Sequence, residues 1–165
     1  MMKRLLLAAA VSASFATLAG PVAAQALQER NMPLAIALDI AREGVAACAA
    51  QGYNVSVAVV DRAGVLRAFA RADHAGPHTV EAARRKAFTS ASTRTPTTVI
   101  VENVQKNPAS AQLVAIDGFL VLGGGVPVKV GNETIGAVGI GGAPGGNLDE
   151  ACAIAAIAKV ESQLK

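Results

Sequence analysis

Between Arg71 and Pro96 the chain gathers both of its histidines, His74 and His78, with Arg71, Asp73, Arg84, Arg85, Lys86 and Arg94. An imidazole can present one neutral nitrogen to a metal centre. The cations can take up carboxylates or other anions, and Asp73 is placed either to orient a histidine or simply to end a strand. His74 and His78 have the four-residue spacing of ligands on one helical face. Gly76-Pro77 between them breaks any such helix, which argues against a zinc-type pair. Both also read as solvated loop residues, and of the two His78 lies nearer a helix able to hold its ring. Arg84 and Arg85 fit the solvent face of that helix, with Glu81 spaced to pair with Arg85. Lys86, beside the apolar stripe, is the cation better placed for a ligand.

The other polar motifs are weaker. Gly141 to Gly146 precedes a helix, which suits either an anion cradle or a turn with unusual backbone angles. Neither a P-loop nor a dinucleotide fingerprint is matched, no nucleophile elbow is present, and Asp149 and Glu150 suit helix capping better than acid/base work. Cys48 and Cys152, each set among alanines, can form a disulfide between the first and last helices or stay as two buried thiols.

The elements that must position these groups follow from periodicity. Pro33 to Gln51 reads as a helix with Asn31 as candidate N-cap, and Gly52 suits a left-handed end. Asn54–Val60 and Val65–Ala70 alternate as strands around the Asp61–Gly64 turn. A helix follows from Thr79, and Thr95-Pro96 stops it and can cap another, Thr97 to about Lys106, before irregular chain at Ser110–Ile116. Phe119–Leu122 looks like a short strand. Val126–Val130 and Thr134–Ile140 make a second hairpin, and a last helix begins at Leu148, with Asn147 and Glu150 spaced as a capping box. The order predicts an α/β (α+β) fold: an antiparallel sheet of about five strands with helices packed on it.

Residues 1–24 read as a signal peptide, with Lys3 and Arg4 as its basic start, an apolar run from Leu5 to Leu18, and Val22-Ala23-Ala24 before the cut. That run is too short for a permanent span and Gly20-Pro21 breaks it, so the expected location is periplasmic or secreted, with no stable membrane span after cleavage. Residues 25–165 then form a single domain. Without the leader, thirteen basic residues face twelve acidic ones, and Tyr53, Phe69, Phe88 and Phe119 are the remaining aromatics. A near-neutral, aromatic-poor chain argues against nucleic acid as a partner.

Five motifs in order resemble the GlcG/HbpS family, the so-called haem-degrading domain: Val-Val-Asp-Arg-Ala-Gly-Val-Leu at 59–66, Arg-Ala-Asp at 71–73, Ala-Arg-Arg-Lys-Ala-Phe-Thr at 83–89, Gly-Gly-Gly-Val-Pro-Val at 123–128, and Gly-Gly-Asn-Leu-Asp-Glu-Ala-Cys at 145–152. The resemblance implies a profilin-like fold, assembly into dimers or larger homo-oligomers, and haem as cofactor, for storage, sensing or degradation. The family places its haem ligand differently among members, so it is the chemistry of a single imidazole that makes His78 or His74 the expected iron ligand, with Arg71, Asp73, Lys86, Gly124 and Gly125 as further binding residues. With so few large apolar side chains, a porphyrin would have to lie shallowly, at a surface or between protomers. Two other classes stay open: an enzyme or accessory subunit acting on a small carboxylate or corrinoid, and a non-catalytic interaction or sensor scaffold.

Overall fold

The computed structural model describes residues 26–165, so the expected leader at residues 1–24 lies outside it. Helix α1 (Leu34–Ala49) leads into the hairpin β1 (Ser56–Asp61) and β2 (Leu66–Arg71). Helices α2 (Thr79–Thr93) and α3 (Thr97–Lys106) and a 3₁₀ segment (Pro108–Ala115) follow, then the hairpin β3 (Gly125–Val130) and β4 (Glu133–Gly141), and helix α4 (Gly146–Lys159). The sheet is antiparallel in the order β2-β1-β4-β3.

The fold class agrees with the sequence, but four strands are present among the described residues rather than about five. Phe119–Leu122 joins no ladder because side chains of α2 take up its backbone polar groups. Leu120 N–H donates to Thr89 Oγ1, and the Phe119 carbonyl accepts from Arg85. Helix α4 starts at Gly146 behind an extended Gly145 with no side-chain cap, so Asn147 and Glu150 lie inside it rather than forming the expected box. Glu150 instead accepts the Thr98 hydroxyl of α3 at 2.7 Å. Nor does Asn31 cap α1; its Oδ1 accepts from the Met32 and Arg62 amides, and the helix begins after Pro33. Gly52 does take the left-handed conformation, with φ +81°.

The sheet is covered on both faces. On one, Val57, Val59, Val138 and Ile140 pack with Ile40 and Ala41 of α1 and with Ala153 and Ala156 of α4. A disulfide between Cys48 and Cys152 ties these two helices together, resolving the choice the sequence left open. On the other face α2 lies on small residues, with Ala83, Ala87 and Ala91 clustered against Ala58, Val60 and Ala137. Two glycines set how close it comes. A Cβ on Gly139 would overlap the Ala83 carbonyl oxygen and the Ala87 amide, and one on Gly125 would overlap the Lys86 carbonyl oxygen. The helix backbone therefore rests on the strand backbone.

Gly139→Ala must push α2 off the sheet and should cost about 3 kcal/mol in chemical denaturation. Gly131→Ala, at a turn with φ +58° and open space around it, should cost only about 1 kcal/mol from its backbone conformation. Equal or reversed losses would contradict close approach as the constraint.

Candidate functional site

The structure divides the polar residues expected to act together into two groups. From His78, at the start of α2, to Lys86 is about 12 Å along the axis at the usual helical rise.

Lys86 heads the inner group. The tight seat of α2 carries its side chain inside, where it and Asp149 are 2% and 3% exposed. The Lys86 ammonium donates to Asp149 Oδ2 at 2.7 Å and to the Ile140 carbonyl at 2.9 Å. Asp149 Oδ1 accepts the Ala143 amide at 2.9 Å. Gly124 completes the wall: with φ +116°, it leaves space that a Cβ would close, 2.7 Å from Asp149 Cβ and 3.0 Å from Lys86 Nζ. Burial pushes the Asp149 carboxyl above the ordinary carboxylate range, against the opposing pull of the Lys86 charge, its hydrogen bond and the amides of Ala143 and Gly142. Among the described residues every buried side-chain nitrogen and oxygen has a partner. Lys86 and Asp149, walled by Gly124 and Gly125, thus form a satisfied clamp joining α2, β4, the β3 approach and α4. Lys86 is committed to Asp149 rather than presented to an external anion.

The outer group lies where β2 runs into α2. Arg71 ends the strand and donates to the Ala75 carbonyl. Asp73 and His74 are exposed, and His74 takes a left-handed backbone, φ +66°. Thr79 anchors the loop from beneath, its hydroxyl 2.7 Å from Ser56 Oγ and donating to the Gly76 carbonyl at 2.6 Å. His78 is exposed, with its ring over Gly76; a Cβ there would come within 2.7 Å of His78 Cε1. Neither imidazole has a hydrogen-bond partner among the described residues, so both remain available as donors or ligands.

From the same corner an apolar shelf that sequence reasoning missed runs along β2 towards the β1–β2 turn. Phe69 pairs with Ala58, Leu66 with Val60 and Arg71 with Ser56. Directly paired residues share a sheet face, so Leu66, Phe69 and Arg71 stand on the α2 side. Helix α2 covers the inner strands, leaving Phe69 37% and Leu66 46% exposed beside it. The bulge between Val59 and Val60 hid this from simple alternation along β2. On the helix itself, Glu81 pairs with Arg84 at 2.8 Å rather than with Arg85, whose guanidinium turns to the Phe119 carbonyl. Phe119 in turn meets Phe88 edge-on, centroids 6.1 Å apart.

The clamp has a predictable pH signature. A carboxyl raised in the fold favours the folded state fully below its unfolded value, and that contribution is lost as pH rises through the folded value. Lys86→Met removes the strongest lowering influence on Asp149. The variant should lose about 3–5 kcal/mol at neutral pH and progressively less towards about pH 4, measured by urea unfolding. Adding Asp149→Asn should recover part of the neutral-pH loss, and a deficit that shrinks as pH rises would contradict the assignment.

The family model described as "Haem degrading protein HbpS-like" matches residues 13–158. The structure of a double glutamate-to-aspartate mutant of HbpS from Streptomyces reticuli is similar, with 39% identity, a TM-score of 0.77, and coverage of 86% of this chain and 97% of that one. Klebsiella pneumoniae protein ORFY is 25% identical with a TM-score of 0.79, over 86% of this chain and 99% of its own. A PduOC complex with haem shares the fold, at 23% identity and a TM-score of 0.70 over 78% of this chain and 94% of that one. No curated protein matches the chain.

Proposed function

Because the chain belongs to the HbpS-like family of haem degrading proteins, we propose that it is an exported haem-binding protein whose site is the open corner between β2 and α2. One observation carries this reading: two uncommitted imidazoles stand at the end of a shelf formed by exposed Phe69 and Leu66, with Arg71 between them.

The donor set fits the group. A haem needs an apolar surface for a porphyrin face, a neutral nitrogen for iron and a cation for propionates. Phe69 and Leu66 supply the first, and His78 or His74 the second. Arg71 has N–H groups beyond the one given to Ala75, so it can hold a carboxylate without releasing the loop. Asp73 is near enough in sequence to orient His74. When bound, the iron supplies a Lewis-acidic, redox-active centre. Lys86, Gly124 and Gly125 act at a distance, fixing the helix from which His78 projects. An open shelf implies modest affinity and suits uptake and release of haem better than its permanent retention. The signal-like residues 1–24 and the Cys48–Cys152 disulfide support export to an oxidising compartment, the periplasm or the medium.

Haem titration of the exported protein, whose first residue should be Gln25 by N-terminal sequencing, tests the proposal. A Soret shift is expected for wild type, and His74→Ala/His78→Ala should weaken binding by at least about tenfold. No Soret shift in wild type, or unchanged binding in the double variant, would overturn it.

A further inference from the structure

The sheet ends in β2 on one side and β3 on the other, and the two edges differ in what they offer outward. The Ala72 amide, just past β2, donates to the Val55 carbonyl at 2.9 Å. In an antiparallel ladder the backbone groups of successive residues turn alternately towards and away from the neighbouring strand. Ala70 lies opposite Val57 and Ala68 opposite Val59, so the N–H and C=O of Phe69 and Arg71 face away from β1. No strand covers them there among the described residues. On the other side the Gly124 carbonyl accepts the Ile140 amide, and the same alternation turns Pro127 outward, a residue with no N–H to give. The β3 edge is therefore interrupted, whereas β2, Leu66-Arg67-Ala68-Phe69-Ala70-Arg71, contains no proline. Its charges are both positive. The ion pairs among the described residues engage Arg30, Arg42, Arg62, Arg84, Lys86 and Lys106, and leave Arg67 and Arg71 without a carboxylate.

We infer that the β2 edge takes up an extended acidic segment of another protein, which adds to the sheet as a further strand. Main-chain hydrogen bonds to Phe69 and Arg71 hold the segment, and its alternate side chains set the specificity. Phe69 and Arg71 are two residues apart and share the α2 side of β2. Directly opposed residues share a face, so the segment must carry an apolar side chain two positions from a carboxylate. The apolar one covers the Phe69 ring, which is 37% exposed, and the carboxylate meets the Arg71 guanidinium. Arg67, the unmatched residue at the bulge, adds a second cation that repels a basic segment. A charged edge normally keeps strands away; one whose charges are all of one sign admits a strand of the opposite sign. The inference does not depend on haem.

Fluorescence anisotropy with an end-blocked, fluorescein-labelled peptide, Thr-Val-Thr-Glu-Thr-Val-Thr, should show saturable binding to the wild-type protein. The same peptide with lysine in place of glutamate should bind at least about fivefold more weakly. Phe69→Pro deletes an outward N–H and spares the ladder with β1, while Phe69→Ala removes the same ring and keeps that N–H. The proline variant should bind the acidic peptide at least about tenfold more weakly than the alanine variant, with both circular dichroism spectra like that of wild type. Arg71→Glu should reverse the preference in favour of the lysine peptide, a readout that stands even if the proline variant fails to fold. Absence of binding by wild type, as when a second copy already closes the edge, would overturn the inference. So would equal affinity for the two peptides, folded proline and alanine variants that bind alike, or a charge preference unchanged in Arg71→Glu.

Discussion

Helix α2 sits so low on the sheet that its backbone and that of β3 and β4 touch, and the arrangement of the polar residues follows from this contact. Only glycine at 125 and 139 permits it. Once α2 is that close, Lys86 projects inside the protein instead of across its surface, and a buried ammonium demands an anion. Asp149 meets that demand. Breaking such a pair strands a charge in the interior, so each partner makes the other necessary.

The clamp also gives a physical separation of tasks. Lys86, Asp149 and Gly124 are saturated by one another and by backbone groups, which suits them to holding α2, β3 and α4 in register. At the start of the helix, the β2–α2 loop is anchored by Thr79 and Ser56 yet leaves its imidazoles exposed. A rigid base under an open, unsaturated loop is an arrangement suited to reversible capture of a flat ligand. The apolar shelf exists because α2 lies over β1, β4 and β3 and stops short of β2.

Much of the fold was legible in the chain. Periodicity placed the four α-helices and both hairpins of the described residues, and Gly52 ended its helix as expected, because these features depend on neighbours in sequence. What was hidden depended on residues far apart. Lys86 and Asp149 are separated by 63 positions, and nothing local distinguishes a buried lysine from one beside a pocket. The pairing of Cys48 with Cys152 likewise needed α1 and α4 to be packed together. Phe119–Leu122 has the composition of a strand, but hydrogen bonding to Thr89 and Arg85 decided otherwise. At α4 the run of glycines blurred the start, since extended and helical backbone are both open to them. The two histidines were found by type alone; the shelf beside them was not, because a bulge shifts the facing of β2.

The division between clamp and shelf is tested most directly by nuclear magnetic resonance of the labelled protein titrated with gallium protoporphyrin, a diamagnetic stand-in for haem. Perturbations concentrated at Leu66, Phe69, Arg71, His74 and His78, with the Lys86 ammonium and the Gly124 and Asp149 amides little changed, are the predicted result. Shifts centred on Lys86, Gly124 and Asp149, with the β2–α2 corner silent, would contradict it.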